Sequence, residues 1–188
     1  MPAKGLFRFL DVVIAFIGLL LLSPIIFILF LIGLFDTGQP MFRQTRVGKH
    51  QQPFELLKFR SMRLDTTSVA THLADESAIT PFGQFLRRTK LDELPQLCNV
   101  LKGDMSLVGP RPCLFNQAAL ITARQNKGVL DVLPGITGLA QVNGIDMSDP
   151  ERLAEWDERM LQELTIIDYF KYLTLTVLGR GSGDRVRP

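Results

Sequence analysis

Two adjacent carboxylates, Asp92 and Glu93, are the residues of this sequence best suited to chemistry. They stand in the stretch RRTKLDELPQL, shortly after Arg87 and Arg88. Pro95 fits only within the first turn of a helix, so the spacing predicts a helix that begins near Asp92. The free N–H groups and the positive dipole end of a helix N-terminus attract anions. We therefore predict that this segment brings phosphate and ionised carboxylates to one helix end.

Helix capping is the simplest explanation for one acidic residue at such a position. Capping does not account for the second acid or for the two preceding arginines. Guanidinium groups bind phosphate oxygens and Mg²⁺ prefers carboxylate oxygens, so Asp92 and Glu93 are candidate Mg²⁺ ligands beside a phosphate. An ionised Asp92 could also attack phosphorus and form an aspartyl phosphate. The residues alone leave the capping and the catalytic interpretations open.

Other residues that could do chemistry form no comparable pattern. The two histidines, His50 and His72, lie in polar stretches without ligand spacing. The sequence has no HExxH, GxSxG or Walker motif. Cys98 and Cys113 lack the spacing of a metal site or a redox pair, which favours buried thiols in a reducing compartment.

Composition and charge limit the class of protein. The 188 residues allow one domain of ordinary size plus an apolar N-terminal segment. Basic residues outnumber acidic ones from Arg43 to Lys90, and acidic residues predominate from Asp146 to Asp168. A basic half beside a membrane suits anionic headgroups or phosphate substrates, although an ordinary solvated basic face fits the charge equally well. We expect no nucleic-acid partner.

The N-terminal segment, residues 1–36, is predicted to be a re-entrant, monotopic membrane helix. No charge occurs from Val12 to Phe35, which is long enough for a single span. Pro24 lacks an N–H and should kink or break the helix, and the Ser23 hydroxyl can bond a carbonyl that the break frees. Basic residues flank both ends, so a single span would violate the positive-inside rule at one end. A cleaved signal peptide fits less well, because the apolar run is too long.

Residues 37–178 are predicted to form an α+β, mostly helical catalytic domain, followed by a flexible tail at 179–188. MFRQTRVG and FELLKFRSM show alternating polarity around the polar KHQQP and predict a β-hairpin. Residues 105–112 and 134–144 are predicted to be loops, because proline and glycine disfavour regular structure there.

Helix boundaries are marked by capping residues. Thr80 and Pro81 predict the N-cap and first residue of one helix, and Gly103 predicts the end of the next. The spacing of apolar residues predicts a further helix at 114–126. Asp149 predicts the start of a last amphipathic helical region.

Several stretches resemble the monotopic phosphoglycosyl transferases, the bacterial sugar transferase family. They are the apolar N-terminus with Ser23-Pro24, LLKFRSM at 56–62, LRRTKLDELPQLCNVLKGDMSLVGPRP at 86–112 and PGITGLAQVNG at 134–144. The resemblance covers most of the chain, and its long central motif is highly specific. It implies transfer of a sugar 1-phosphate from a nucleotide diphosphate sugar, with UDP expected, to polyprenyl phosphate, usually undecaprenyl phosphate. The reaction is expected to pass through a covalent phosphosugar–enzyme intermediate with ping-pong kinetics.

The resemblance also implies roles for individual residues and a location. Asp92 takes the place of the nucleophile and Glu93 that of its partner, with Mg²⁺ as the cofactor that both help to bind. The expected substrate- and phosphate-binding residues are Arg87, Arg111, Lys58 and Arg60. Ser23 and Pro24 match the break of the re-entrant helix. The enzyme is expected on the cytoplasmic face of the bacterial inner membrane, with membrane lipid and downstream glycosyltransferases as further partners.

Two departures from the family pattern bear on specificity. Leu139 stands where many members carry Trp, and the C-terminal part looks shorter than in many. Both could affect which nucleotide sugar is accepted. Two other functions stay open: a single-span protein whose cytoplasmic domain binds nucleotide sugars or acts as a scaffold, and a membrane-bound phosphohydrolase that uses Asp92.

Overall fold

A computed structural model describes residues 4–66 and 76–181 of the chain. Its helices are α1 Lys4–Thr37, α2 Pro81–Thr89, α3 Gln96–Lys102, α4 Ala118–Asn126, α5 Leu139–Val142, α6 Pro150–Glu163 and α7 Ile166–Val177. Its strands are β1 Met41–Val47, β2 Pro53–Phe59, β3 Ser106–Val108 and β4 Gly135–Thr137. The described part is mostly helical, as predicted. His72 and the predicted tail beyond Gly181 lie outside the described residues.

The predicted hairpin is confirmed. Strands β1 and β2 pair antiparallel in a register that sets Met41 opposite Phe59 and Val47 opposite Pro53. Side chains two residues apart on a strand share a face. Lys58 is therefore buried on the same side of β2 as the core residue Leu56.

The two predicted loops at 105–112 and 134–144 each contain a strand, so this prediction was wrong in part. Strands β3 and β4 pair in parallel, with Ser106 opposite Gly135 and Val108 opposite Thr137. A side chain at residue 135 would overlap the backbone of Gly109, so only glycine allows the two segments to approach this closely. Glycine here makes the pairing possible instead of preventing it. The second segment also holds the short helix α5.

The helical region predicted to start at Asp149 contains two helices, α6 and α7. Asp149 caps α6 as predicted, and its side chain accepts a hydrogen bond from the backbone N–H of Arg152 at 3.2 Å. The chain leaves helical geometry at Leu164. Thr165 and Asp168 then form a capping box that starts α7.

Helix α1 runs through Pro24 without dividing into two helices, so the predicted break is not seen. Proline at position 24 leaves the carbonyl of Leu20 without its helical donor. The Ser23 hydroxyl donates to that carbonyl at 2.8 Å, as the sequence predicted. Helix α1 is long and apolar enough to cross a membrane. Its re-entrant course stays a prediction.

Both ends of α1 contact the rest of the protein. Near its start, the Arg8 guanidinium donates to the carbonyl of Met105 at 3.3 Å. Near its end, the carboxylate of Asp36 accepts a hydrogen bond from the Thr80 hydroxyl at 2.8 Å. Apolar side chains that face away from these contacts stay exposed, including Phe16, Leu21, Phe27 and Phe35.

Buried Asp11 connects α1 to the small parallel sheet. Its carboxylate accepts hydrogen bonds from the Leu107 backbone N–H at 2.9 Å, the Ser106 hydroxyl at 2.8 Å and the Tyr169 hydroxyl at 2.7 Å. Burial and the Asp11 hydrogen bond raise the pKa of Tyr169, which keeps the phenol protonated. Helix α1 is thereby tied to β3, the strand that leads into the candidate site.

Candidate active site

A tight turn carries the two adjacent carboxylates. Helix α2 ends at Thr89, and Lys90 reverses the chain with a left-handed backbone (φ 58°). Leu91–Glu93 is one 3₁₀ turn, and i→i+3 hydrogen bonds continue through Pro95. The α-helix α3 begins only at Gln96, so the predicted start near Asp92 was four residues too early. The cause is Pro95, which has no N–H to complete an α-helical turn.

Asp92 and Glu93 are both buried, with exposed fractions of 4% and 9%. The Oε1 atom of Glu93 lies 3.1 Å from Nζ of Lys58 and 3.2 Å from Nη2 of Arg111. Lys58 comes from β2 and Arg111 from the loop after β3. Three of the residues proposed from the sequence therefore meet in one charged cluster.

The loop that carries Arg111 is held along its whole length. Each carbonyl from Gly109 to Cys113 accepts a hydrogen bond. In chain order, the donors are Gln141 Nε2 at 3.3 Å, Gly135 N at 2.8 Å, Arg124 Nη1 at 2.8 Å, Arg46 Nη1 at 3.3 Å and Val47 N at 2.9 Å. The backbone of this segment, which we call the Arg111 loop (residues 109–113), is therefore fixed before any substrate binds.

The contact from Arg124 depends on an ion pair that the sequence patterns did not indicate. Arg124 on α4 donates from Nε and Nη2 to Oδ2 of Asp157 on α6, at 2.9 and 2.6 Å. Burial raises the pKa of the Asp157 carboxyl, and the Arg124 guanidinium opposes that shift. Asp157 has helical spacing with the buried Leu153 and Met160. An acid on the apolar face of a helix is the signal that could have indicated the pair.

Two neighbouring clefts open beside the cluster and share Glu93, Arg111 and Ile136 as walls. The first is open to solvent, and its other walls include Arg46, Lys58 and Gln96. The second is also open to solvent, and its other walls include Lys90, Thr137, Gln141, Thr176 and Arg180. Cationic side chains line both clefts, as expected of a site for phosphate groups.

The remaining predicted residues do not line these clefts. Asp92 is not among the lining residues of either cleft, although the next residue in the chain, Glu93, lines both. Arg87 donates from Nε to the Ser61 hydroxyl at 2.8 Å. Arg60 donates to the backbone carbonyls of Gln39 and Met41, at the opposite end of the hairpin from its turn. The phosphate-binding roles of Arg87 and Arg60 stay predictions.

Asp92 and Glu93 fit a magnesium site that substrate phosphates complete. Within residues 4–66 and 76–181, no cluster of three or more His, Cys, Asp or Glu side chains is placed to hold a metal. Mg²⁺ often binds one or two carboxylates together with substrate phosphates and water. The adjacent buried carboxylates would supply the protein ligands of that donor set, and the cationic clefts would hold the phosphates that complete it.

Comparison with known proteins decides the family. The sequence pattern described as bacterial sugar transferase matches residues 3–180. The chain belongs to this family. The resemblance seen in the sequence is thus confirmed, and the described cluster is the candidate active site of a sugar transferase, an enzyme of the sugar-phosphate transferase class.

Named relatives of this sugar transferase share much of its length. The uncharacterized sugar transferase EpsL of Bacillus subtilis is 40% identical over 90% of this chain and 84% of its own. The UDP-glucose:undecaprenyl-phosphate glucose-1-phosphate transferase of Escherichia coli is 37% identical over 94% of this chain. An enzyme of the same name from Caulobacter vibrioides is 43% identical over 73% of this chain. The match spans 41% of the E. coli protein and 54% of the Caulobacter protein.

Leu139, one of the two departures expected from the sequence, is the first residue of α5. It is partly buried against the core, and its backbone N–H lies 3.2 Å from the sulfur of Met160. Its effect on the choice of sugar stays a prediction.

Proposed function

We propose that this sugar transferase moves a sugar 1-phosphate from a nucleotide diphosphate sugar to undecaprenyl phosphate, with Asp92 as the nucleophile. The observation that carries the proposal is the buried Asp92-Glu93 pair, whose second carboxylate is bonded to Lys58 and Arg111 at the junction of two cationic clefts. Family membership and the names of the relatives support the reaction class.

Two displacements at one phosphorus atom account for the transfer. A carboxylate oxygen of Asp92 attacks the phosphorus that bears the sugar, and the bond to the nucleoside monophosphate breaks. A phosphate oxygen of the lipid then attacks the same phosphorus. The aspartyl P–O bond breaks, which frees the Asp92 carboxylate and leaves a lipid diphosphate sugar. Because the nucleoside monophosphate leaves first, the same cationic site can serve both substrates in turn.

The cationic side chains near Glu93 can balance the negative charge of the donor's phosphates. Lys58 and Arg111 can bind the donor's phosphate oxygens, and their bonds to Glu93 hold them beside Asp92. We propose that Asp92 and Glu93 hold Mg²⁺ together with these phosphates. When bound, the metal would neutralise part of the diphosphate charge.

The proposed location is the cytoplasmic face of the inner membrane. A helix that crossed the bilayer would place its two ends on opposite sides. Arg8 and Asp36, near opposite ends of α1, both contact the same catalytic domain. This supports a helix that enters and leaves on one side, where the water-soluble donor and the lipid phosphate can meet.

The donor is proposed to be a UDP sugar, because the named E. coli and Caulobacter relatives use UDP-glucose. Other relatives are named for different sugars: a galactosyl transferase of Streptococcus agalactiae and a putative N-acetylgalactosaminyl 1-phosphate transferase of Bacillus subtilis. The sugar is therefore best found with a panel of UDP sugars.

Intact-protein mass spectrometry tests the nucleophile. We expect wild-type protein, incubated with a UDP-sugar panel and no lipid, to gain the mass of one phosphosugar and to release UMP. Asp92→Asn should gain none, since the amide is not a nucleophile, and Asp104→Asn is the matched control. Excess EDTA should suppress the adduct, and added Mg²⁺ should restore it.

Each alternative gives a different result. An adduct that persists in Asp92→Asn would place the nucleophile elsewhere. Turnover that requires both substrates together, with no adduct, would indicate direct transfer. Release of sugar phosphate to water would indicate a phosphohydrolase, and binding without release of UMP would indicate a binding or scaffold protein. Full activity in EDTA would contradict the magnesium proposal.

A further inference from the structure

We propose that the buried Arg124–Asp157 pair is a positioning device for Arg111, one that sets how well the site binds the donor's diphosphate. The inference rests on the proposed function, because it concerns the same phosphate site. Arg124 has no direct part in binding under this proposal; it acts through the Arg111 backbone.

The geometry links the two arginines through one carbonyl. Arg124 uses two nitrogens, Nε and Nη2, on Oδ2 of Asp157, and its third nitrogen, Nη1, donates to the Arg111 carbonyl at 2.8 Å. Arg124 is 2% exposed and Asp157 is 0% exposed, so water cannot easily replace these contacts. The guanidinium thus fastens the middle carbonyl of the Arg111 loop to helices α4 and α6.

Only an arginine can satisfy both sides at once. A planar guanidinium presents its donors in a fixed fork, so orientation by Asp157 also fixes where Nη1 points. A lysine at position 124 could still form an ion pair with Asp157. Its three N–H groups all lie on one nitrogen, so it could not hold the carboxylate from two nitrogens and reach the Arg111 carbonyl from a third.

An ordinary structural role would look different. Lys127 and Glu158 also bridge α4 and α6, with Nζ and Oε2 3.1 Å apart. That pair has no hydrogen bond to the Arg111 loop in the described part of the chain. If the Arg124–Asp157 pair only joined two helices, breaking it would lower the stability more than breaking the more exposed Lys127–Glu158 bridge, but it would not change donor binding beyond what that loss of stability explains.

The experiment compares Arg124→Lys with Glu158→Gln in the full-length protein. We expect Arg124→Lys to lower kcat/KM for the UDP sugar by roughly 10- to 100-fold, because misplacing a group that binds the substrate lowers the rate by about that factor. Glu158→Gln should stay within a few-fold of wild type. Leu153→Ala, which removes buried apolar volume from α6, controls for a general loss of stability, and thermal unfolding is measured for every variant.

A double mutant separates positioning from other effects. If Arg124 acts through Arg111, adding Arg124→Lys to Arg111→Ala should cost almost nothing further. Losses that multiply across the two sites would overturn the proposal, as would an unchanged kcat/KM in Arg124→Lys. A kinetic loss in Leu153→Ala equal to that of Arg124→Lys would assign the pair to stability alone.

Hydrogen exchange gives a readout that does not need sugar transfer. We expect amide exchange in a peptide covering residues 108–114 to be faster in Arg124→Lys and unchanged in Glu158→Gln. Equal exchange in the two variants would overturn the positioning role even if the enzyme is active. Faster local exchange in a protein that transfers no phosphosugar would instead refute the proposed function and leave the positioning of the Arg111 loop standing.

Discussion

Lys58 and Arg60 stand two residues apart, yet their cations have different surroundings. Lys58 is buried and bonded to Glu93. Arg60 follows the end of β2, donates to the carbonyls of Gln39 and Met41, and places its guanidinium 5.5 Å from the centre of the Phe42 ring. Partial burial lowers the pKa of Arg60. These contacts tie Arg60 to the start of the hairpin.

The first prediction therefore separates two basic residues that looked equivalent in the sequence. Lys58→Met should lower kcat/KM by roughly 100-fold, as the loss of one charge-stabilising donor does. Arg60→Met should lower it only a few-fold. Steady-state kinetics with the UDP sugar and undecaprenyl phosphate measure both. Equal losses in the two variants, at matched thermal stability, would give Arg60 the phosphate-binding role that the resemblance implied.

At the scale of single elements, the start of α7 shows how a local capping motif determines where a helix packs. The Thr165 hydroxyl accepts a hydrogen bond from the Asp168 backbone N–H at 3.1 Å, and the Asp168 carboxylate accepts from the Thr165 backbone N–H at 3.3 Å. The helix that begins here carries Tyr169 to Asp11 and Thr176 to the wall of the second cleft. The residue at which α7 begins therefore affects both the contact with α1 and the wall of the second cleft.

Removing this cap should destabilise the protein moderately. We expect Thr165→Ala to cost about 1 kcal/mol of folding free energy. That corresponds to a fall in Tm of about 2–4 °C for a chain of this size. Glu155→Gln, an exposed change on α6, should leave Tm unchanged. Thermal unfolding in detergent micelles is the measurement, and an unchanged Tm in Thr165→Ala would show that packing alone determines where α7 begins.

The cap also predicts a dependence on pH. The hydrogen bond from Thr165 lowers the pKa of Asp168 below its ordinary value. A lowered pKa means that the contribution is present above the ordinary pKa of aspartate and is lost as the pH falls through the lowered value. The difference in Tm between wild type and Asp168→Asn should therefore shrink as the pH falls through that range.

At the scale of the whole molecule, the membrane helix is part of the catalytic domain's packing. Ala15 and Leu29 of α1 are both buried against it, in two different apolar clusters. A helix of 34 residues is about 51 Å long, more than the thickness of a bilayer's hydrocarbon core. Contacts along most of that length are difficult to keep if the helix crosses the membrane upright.

We therefore predict that both ends of α1 lie on the cytoplasmic side. Gly5→Cys and Gln39→Cys, each in a Cys98→Ala and Cys113→Ala background, should resist an impermeant thiol reagent in intact cells. Both should react in inverted membrane vesicles. Labelling of one position from outside would show a single span. Replacing Ser23 and Pro24 with leucine should move the helix toward such a span, because α1 then lacks the one proline inside it.

The sequence by itself determined the features that depend on neighbouring residues. The hairpin, the caps at Thr80 and Asp149, and the Ser23 bond to Leu20 follow from local polarity, side-chain oxygens and a missing N–H. Asp92 and Glu93 are consecutive in the sequence, so their proximity does not depend on the fold. Such features were predictable because the groups that interact lie within one turn or one hairpin.

Only the tertiary structure decided what surrounds the carboxylates. Lys58 and Arg111 reach Glu93 from positions 35 and 18 residues away, and Arg124 lies 33 residues from Asp157. Pairing of β3 with β4, which shapes the Arg111 loop, depends on the close approach of Gly109 and Gly135. Local periodicity carries no information about such partners. They meet only when burial of the apolar faces of separate helices and strands brings their polar groups to one place.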